Sequence, residues 1–277
     1  MNKNIKLDFD VIVIGIQFLV FVLLILFVFP HTSDDKLMRQ IKKHGIKYEF
    51  SRSIMWVEND YMDEKAVKEM GALIDKGIKD IEAYTNIPYD RSRYSSEKIC
   101  YYVKSGRFSS HISEGNILRR KPNLILATSL MKTAPYLVLT AKLIAWNCNT
   151  YWLKEGLALY LNEKLNGWPV WPNFGLKADK KALEYFSEGS PVKYFALELY
   201  KKIGENALPQ LEYGEYELFV VLSASFVGYL DENLGTDQLM AIYKAEDPKQ
   251  TLFRLSGKNM DKWKDDWLKH ISSVYTL

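Results

Sequence analysis

From Val11 to Phe29 the chain reads Val-Ile-Val-Ile-Gly-Ile-Gln-Phe-Leu-Val-Phe-Val-Leu-Leu-Ile-Leu-Phe-Val-Phe, with no charged residue and a single amide, Gln17. As a helix rising about 1.5 Å per residue it would span roughly 28 Å, close to the ~30 Å hydrocarbon core of a bilayer. A cleaved secretory leader has a shorter apolar region, about 7 to 15 residues, and a small-residue cleavage site after it. Here the run ends in Pro30-His31, and the first alanine of the chain is Ala66. The run therefore predicts a short tail at residues 1–10 and an uncleaved single-pass anchor in the lipid bilayer at residues 11–30. Lys3 and Lys6 precede the span, whereas Lys36, Arg39, Lys42, Lys43 and Lys47 come after it. A literal positive-inside count keeps the body in the cytoplasm, although long domains translocate largely regardless of such charge.

The rest of the chain has the composition of a globular body. The chain has 277 residues, 48% hydrophobic and 26% charged, enough apolar side chain for one sizeable core or two small ones and too much for a disordered chain. Lys+Arg 37 against Asp+Glu 34 leaves a net charge of +3 on a mixed surface without a concentrated basic tract, so nucleic acid is not an expected partner. Two cysteines, Cys100 and Cys148, do not make a disulfide scaffold; they are expected as part-buried thiols, with a pair as the alternative.

Residues 31–59 are polar, basic and irregular, and read as a juxtamembrane stalk leading into a domain over residues 60–277. Val67, Met70, Ile74, Ile78 and Ile81 recur at three- and four-residue steps, which predicts a one-faced helix over residues 63–84. Asn86-Ile87-Pro88 breaks it. Lys98–Val103 and Asn123–Ala127 have the β-branched and aromatic content of strands. Beyond Ala127 the helical pattern dominates, beginning with a helix from Pro135 to Trp146 that is apolar on nearly every side and so must be central. Further helices are expected at about residues 151–165, 177–186, 191–203, 216–233, 236–243 and 260–271. A small sheet followed by a mostly helical remainder makes the fold class α+β.

Glu155 stands out among the polar residues. On a helix its neighbours three and four residues away are Trp152, Ala158 and Leu159, so its carboxylate faces apolar side chains. A buried carboxylate must be paired, metal-bound or protonated. The alternative is a helix-start glutamate that reaches water and is favoured by the helix macrodipole, by up to about 1 kcal/mol.

The pattern Trp152-Leu153-Lys154-Glu155-Gly156-Leu157-Ala158-Leu159-Tyr160 resembles the helix that supplies the glutamate zinc ligand in gluzincin metallopeptidases of the peptidase-MA-like type. Ser225–Leu230, Leu234-Gly235, Gly257, Trp263 and Trp267 resemble the closing part of those domains, so the similarity covers roughly residues 60 to 275. The resemblance implies a thermolysin-like catalytic-domain architecture behind the anchor and a body on the extracytoplasmic side. In the family an upstream helix carries H-E-x-x-H, two imidazoles on one face with a glutamate as general base. Here that helix reads Ala141-Lys142-Leu143-Ile144-Ala145. Ala141 and Ala145 match the two histidine ligands, Lys142 the base and Glu155 the third ligand, so three of the four positions have lost their chemistry. Zinc is expected to be absent, because a catalytic site needs three protein ligands and a water. His31, His44, His111 and His270 are scattered, and only His111 and Cys148 stand as recruits for a rebuilt site. Packed as in gluzincins, Lys142 would reach Glu155 and supply the metal's charge as an ion pair; the alternative is a lysine snorkelling to solvent.

Within the resemblance, Asn123, Leu124, Ile125, Leu126 and Ala127 match the edge strand that binds extended peptide by strand addition, against the alternative of an ordinary core strand. Trp168–Phe174 is expected as an aromatic loop pinned on the core, with a ligand groove as the alternative, and Lys177–Lys181 as a solvated helix face. The expected function is a membrane-anchored pseudo-metallopeptidase that binds a peptide or membrane-protein partner without cleaving it. Its rivals are a working hydrolase with a non-standard metal or none, and a structural envelope protein.

Overall fold

The computed structural model describes residues 33–58, 62–90, 97–105, 110–113, 123–127, 135–205 and 211–274, with residues 123–127 described by their backbone alone. The expected tail and anchor lie outside the described residues. Among the described residues no helix is long and apolar enough to cross a membrane.

The expected irregular stalk is corrected first, because residues 33–58 are folded into the body. Helix α1 (Ser33–His44) buries Met38 and Ile41. It runs directly into strand β1 (Gly45–Glu49), which forms an antiparallel hairpin with β2 (Ser53–Glu58), Ile46 opposite Val57 and Tyr48 opposite Met55. The folded body thus includes residues 33–58 and does not begin at residue 60. Its apolar positions in this stretch are divided between one side of a short helix and a hairpin, so no single period runs through the stretch, and its basic residues read as linker.

β2 pairs in parallel with β3 (Ile99–Lys104), and β3 with β5 (Asn123–Ala127). β4 (His111–Ser113) closes the far side of β5 antiparallel, giving the order β1-β2-β3-β5-β4. This corrects the edge-strand expectation: β5 is hydrogen-bonded on both sides, to β3 and β4, and among the described residues the outermost strand is His111–Ser113. Both sheet faces are covered. Ile99, Tyr101 and Val103 point into the main core, while Cys100 and Tyr102 meet Met38 and Ile41 of α1. Cys148 belongs to the main core, so the two cysteines sit in separate clusters, and both are free thiols.

Helix α2 (Glu64–Thr85) covers the core side of the sheet through the face its periodicity predicts. Asp63 caps it by accepting from the Ala66 amide at 2.8 Å. Its other side holds the hairpin turn: Asp75 accepts from Ser51 Oγ and Ser53 Oγ, each at 2.6 Å, and from the Arg52 amide at 3.0 Å.

The remainder is helical: α3 (Tyr136–Ile144), α4 (Tyr151–Lys164), α5 (Ala178–Phe186), α6 (Lys193–Lys202), α7 (Tyr213–Leu234), α8 (Thr236–Tyr243), α9 (Pro248–Ser256) and α10 (Met260–Val274). The α+β class holds. Of these helices only α9 is absent from the sequence reading, although Asp247 caps it through the Gln250 amide at 3.1 Å and Pro248 occupies its first turn. α4 and α7 form the centre. Trp152 of α4 meets Phe226 of α7 with ring centroids 5.4 Å apart, and Phe226 in turn meets Trp267 of α10 at 5.4 Å. At the far end of the pair, the buried Asp231 accepts from Tyr160 Oη at 2.6 Å, Lys164 Nζ at 2.5 Å and Thr236 Oγ1 at 2.9 Å.

This packing has two measurable consequences. A Cβ at Gly156 would lie 2.6 Å from the Ser223 carbonyl oxygen on α7, so Gly156→Ala forces the helices apart. It should destabilise the protein by about 1–3 kcal/mol, read as a lower denaturant midpoint with unchanged slope. Burial works against ionisation of Asp231, but hydrogen bonds from Lys164, Tyr160 and Thr236 outweigh it and hold the carboxyl below its ordinary value. A carboxyl depressed in the folded state contributes stability above its unfolded pKa of about 3.9 and loses it as pH falls through the folded value. Thermal midpoints measured against pH should therefore fall on acidification below about pH 4, and Asp231→Asn should flatten that fall while lowering stability at neutral pH.

Candidate functional site

Lys142 lies in the last turn of α3, where the negative end of the helix favours a cation. Glu155 lies one turn inside α4, beyond the reach of that helix's own N-terminal field. The solvated helix-start alternative for Glu155 is thereby excluded, since its side chain is only 7% exposed and that of Lys142 17%. The two meet: Lys142 Nζ stands 2.6 Å from Glu155 Oε2. The ion pair drawn from the resemblance is present, and Lys142 does not snorkel to solvent.

A third member comes from α7. Tyr216 Oη donates to the same Glu155 oxygen at 2.7 Å and lies 3.5 Å from Lys142 Nζ, closing a triangle of ammonium, carboxylate and phenol. A capping box between Glu212 and Glu215 fixes the start of α7 and so places Tyr216 in its first turn. Trp171 stacks on the phenol with ring centroids 5.7 Å apart. Burial, and then the charge of Glu155, drive the Tyr216 pKa far above the ordinary phenol value, so its proton stays available for donation. Tyr151 is pushed up to about 12 by the same two causes in the same order.

The triangle lines a cavity of ≈ 450 Å³, within the usual range for ligand pockets. Val138 and Leu139 of α3, Leu159 of α4, Val220 of α7 and the Trp171-Pro172 pair supply its apolar walls. Ser110, immediately before β4, also lines it, so the cavity adjoins the outer strand of the sheet. The loop at Trp168–Phe174 is pinned on the core, as expected, and also lines the cavity. Val170 and Asn173 are buried and Trp168 packs edge-on against Tyr136 at 5.0 Å, while Trp171 and Pro172 face the cavity. The Lys177–Lys181 cluster takes no part in the site; Lys177 and Lys180 are exposed, and Lys181 pairs with Glu184 at 3.2 Å.

The residues present do not fit a zinc ion. Ala141 and Ala145 are buried and have no donor atom, and the one carboxylate is already engaged by an ammonium and a phenol. The two recruits are committed elsewhere: His111 Nε2 lies 3.0 Å from Asp34 Oδ2, and Cys148 Sγ donates to the Thr150 carbonyl at 3.4 Å, its thiol pushed up to about 11 by burial. Among the described residues no group of three or more His, Cys, Asp or Glu is placed to hold a metal. The arrangement can hold charge and hydrogen-bond a ligand at the end of an apolar pocket. Tyr216 is the member that sequence reasoning misses, because a tyrosine 61 residues from Glu155 carries no local signal of the contact.

A buried ion pair makes an asymmetric prediction. Lys142→Met alone leaves the carboxylate without its counter-charge and should cost up to about 3 kcal/mol, whereas Lys142→Met with Glu155→Leu should recover most of that loss. Urea midpoints of the two variants and the parent check this; a double variant less stable than Lys142→Met would show that the pair is not an isolated unit.

No protein-family model matches the chain, and no curated protein matches it.

Proposed function

We propose that the chain is a membrane-anchored pseudo-metallopeptidase: a gluzincin-like, thermolysin-type frame, anchored through residues 11–30 with its body on the extracytoplasmic side, that binds a peptide or membrane-protein segment without hydrolysing it. The observation that carries this reading is the Lys142–Glu155 pair at 2.6 Å. A cation of the protein's own stands against the one carboxylate that the resemblance matches to a metal ligand, and alanines stand at the two matching imidazole positions.

The surroundings support binding without cleavage. An apolar cavity of ≈ 450 Å³ accommodates a side chain or two of a peptide, and its polar lining of Ser110, Lys142, Glu155 and Tyr216 can fix orientation. The antiparallel outer strand His111–Ser113 lies next to it and takes over the strand-addition role expected of residues 123–127.

Metal analysis of the full-length chain purified in detergent tests the reading. The expected result is no stoichiometric zinc and no hydrolysis of a mixed peptide library; stoichiometric zinc would overturn it. The A141H/K142E/A145H variant restores the three replaced positions and should take up one zinc per chain. Its failure to do so would count against the gluzincin-like pairing of α3 and α4.

A further inference from the structure

Helix α1 has two chemically distinct sides. Met38 and Ile41 face the sheet, where they pack with Cys100 and Tyr102. Lys36, Arg39 and Lys43, spaced three and four residues apart, lie on the opposite side and are exposed. Of the other charges of the helix, Lys42 lies over the rings of Trp56 and Tyr102 at 5.7 and 5.5 Å, Asp34 meets His111, and Asp35 stands in the first turn, four residues before Arg39. Among the described residues Lys36 and Lys43 engage no carboxylate.

The start of this helix is also constrained by covalent reach. Three residues, Pro30, His31 and Thr32, separate the apolar run from Ser33. An extended chain covers at most about 3.6 Å per residue, so Ser33 lies within ~14 Å of Phe29. The polar interface on each side of the hydrocarbon is roughly 5–8 Å deep, and a helix with its side chains is about 10–12 Å across. With Phe29 at the hydrocarbon boundary, α1 begins within the headgroups or no more than about one helix diameter beyond them.

We infer that α1 lies along an anionic phospholipid surface, with Lys36, Arg39 and Lys43 on the lipid phosphates and the sheet on its far side. The inference rests on the anchoring part of the proposed function. Charge complementarity and the short tether select the partner: the exposed cations of a helix that starts beside the bilayer match the phosphates of anionic headgroups, on whichever side of the membrane the body lies.

The test uses the full-length chain reconstituted in vesicles of phosphatidylcholine alone or of phosphatidylcholine with phosphatidylglycerol. Both native cysteines are buried, so a Gln40→Cys substitution on the exposed side of α1 accepts a fluorophore selectively. Quenching by headgroup-labelled lipid reports its distance from the surface. Each basic group near an anionic surface favours contact by roughly fivefold, so quenching should be several-fold stronger with phosphatidylglycerol and should weaken as salt is raised. The K36Q/R39Q/K43Q variant, altered only at exposed positions, should lose that lipid dependence. Quenching that is the same in both lipids and unchanged in the variant would overturn the inference. Alkaline carbonate extraction separates the two levels: release of the chain sinks the anchoring reading itself, whereas retention with lipid-independent quenching sinks only the role of α1.

Discussion

The approach of α4 to α7 is the constraint on which the rest of the body depends. It is close because Gly156 presents no side chain to the Ser223 backbone, and Gly228 meets the Tyr160 ring in the same way from the other helix. A separation set by backbone contact leaves little freedom in rotation or translation. Trp152, Phe226 and Trp267 fill the adjoining core, and Asp231 binds the far ends through Tyr160 and Lys164. Glu155 is the residue before the close-contact glycine, and Tyr216 lies at the start of the facing helix. Their 2.7 Å hydrogen bond is thus held by the same packing that builds the core.

That coupling explains how a buried charge persists where no metal would be held. A carboxylate left alone among Trp152, Leu159 and Val220 would be costly to ionise. Lys142 offsets this from the last turn of α3, and the phenol of Tyr216 occupies the same oxygen, so the charge is compensated by one ion pair and one strong hydrogen bond. Trp171 completes the enclosure by stacking on that phenol. The group of residues is self-consistent as a structural unit, and its one open side is the apolar cavity.

Much of this is legible in the residues. The stripe at Val67, Met70, Ile74, Ile78 and Ile81 marks α2, and the apolar neighbours of Glu155 single out the carboxylate, whereas Lys142 is reached only through what the resemblance implies for residues 141–145. The hairpin of β1 and β2 escapes although Ile46-Lys47-Tyr48-Glu49 alternates and Ile54-Met55-Trp56-Val57 is apolar, because both runs are short and follow a basic stretch that reads as linker. β4 is three residues long, too short to show a period. The order of strands is a tertiary property. Asn123–Ala127 reads as a strand from composition, yet only its pairing on both sides shows that it is interior. Tyr216 escapes for the same reason, being defined by a helix start far along the chain.

The contact between Asp34 and His111 joins the beginning of α1 to the outer strand, and the residue before that strand lines the cavity. One contact therefore links the first described helix to the strand that borders the pocket. Under the proposed anchoring, the pocket's access to partners becomes a two-dimensional problem. Segments confined to the same membrane meet it at a high effective concentration fixed by their surface density, while a soluble peptide must compete from dilute bulk solution. A weak pocket is then sufficient for selective occupancy, and tight binding of free peptide is not something such a site would need.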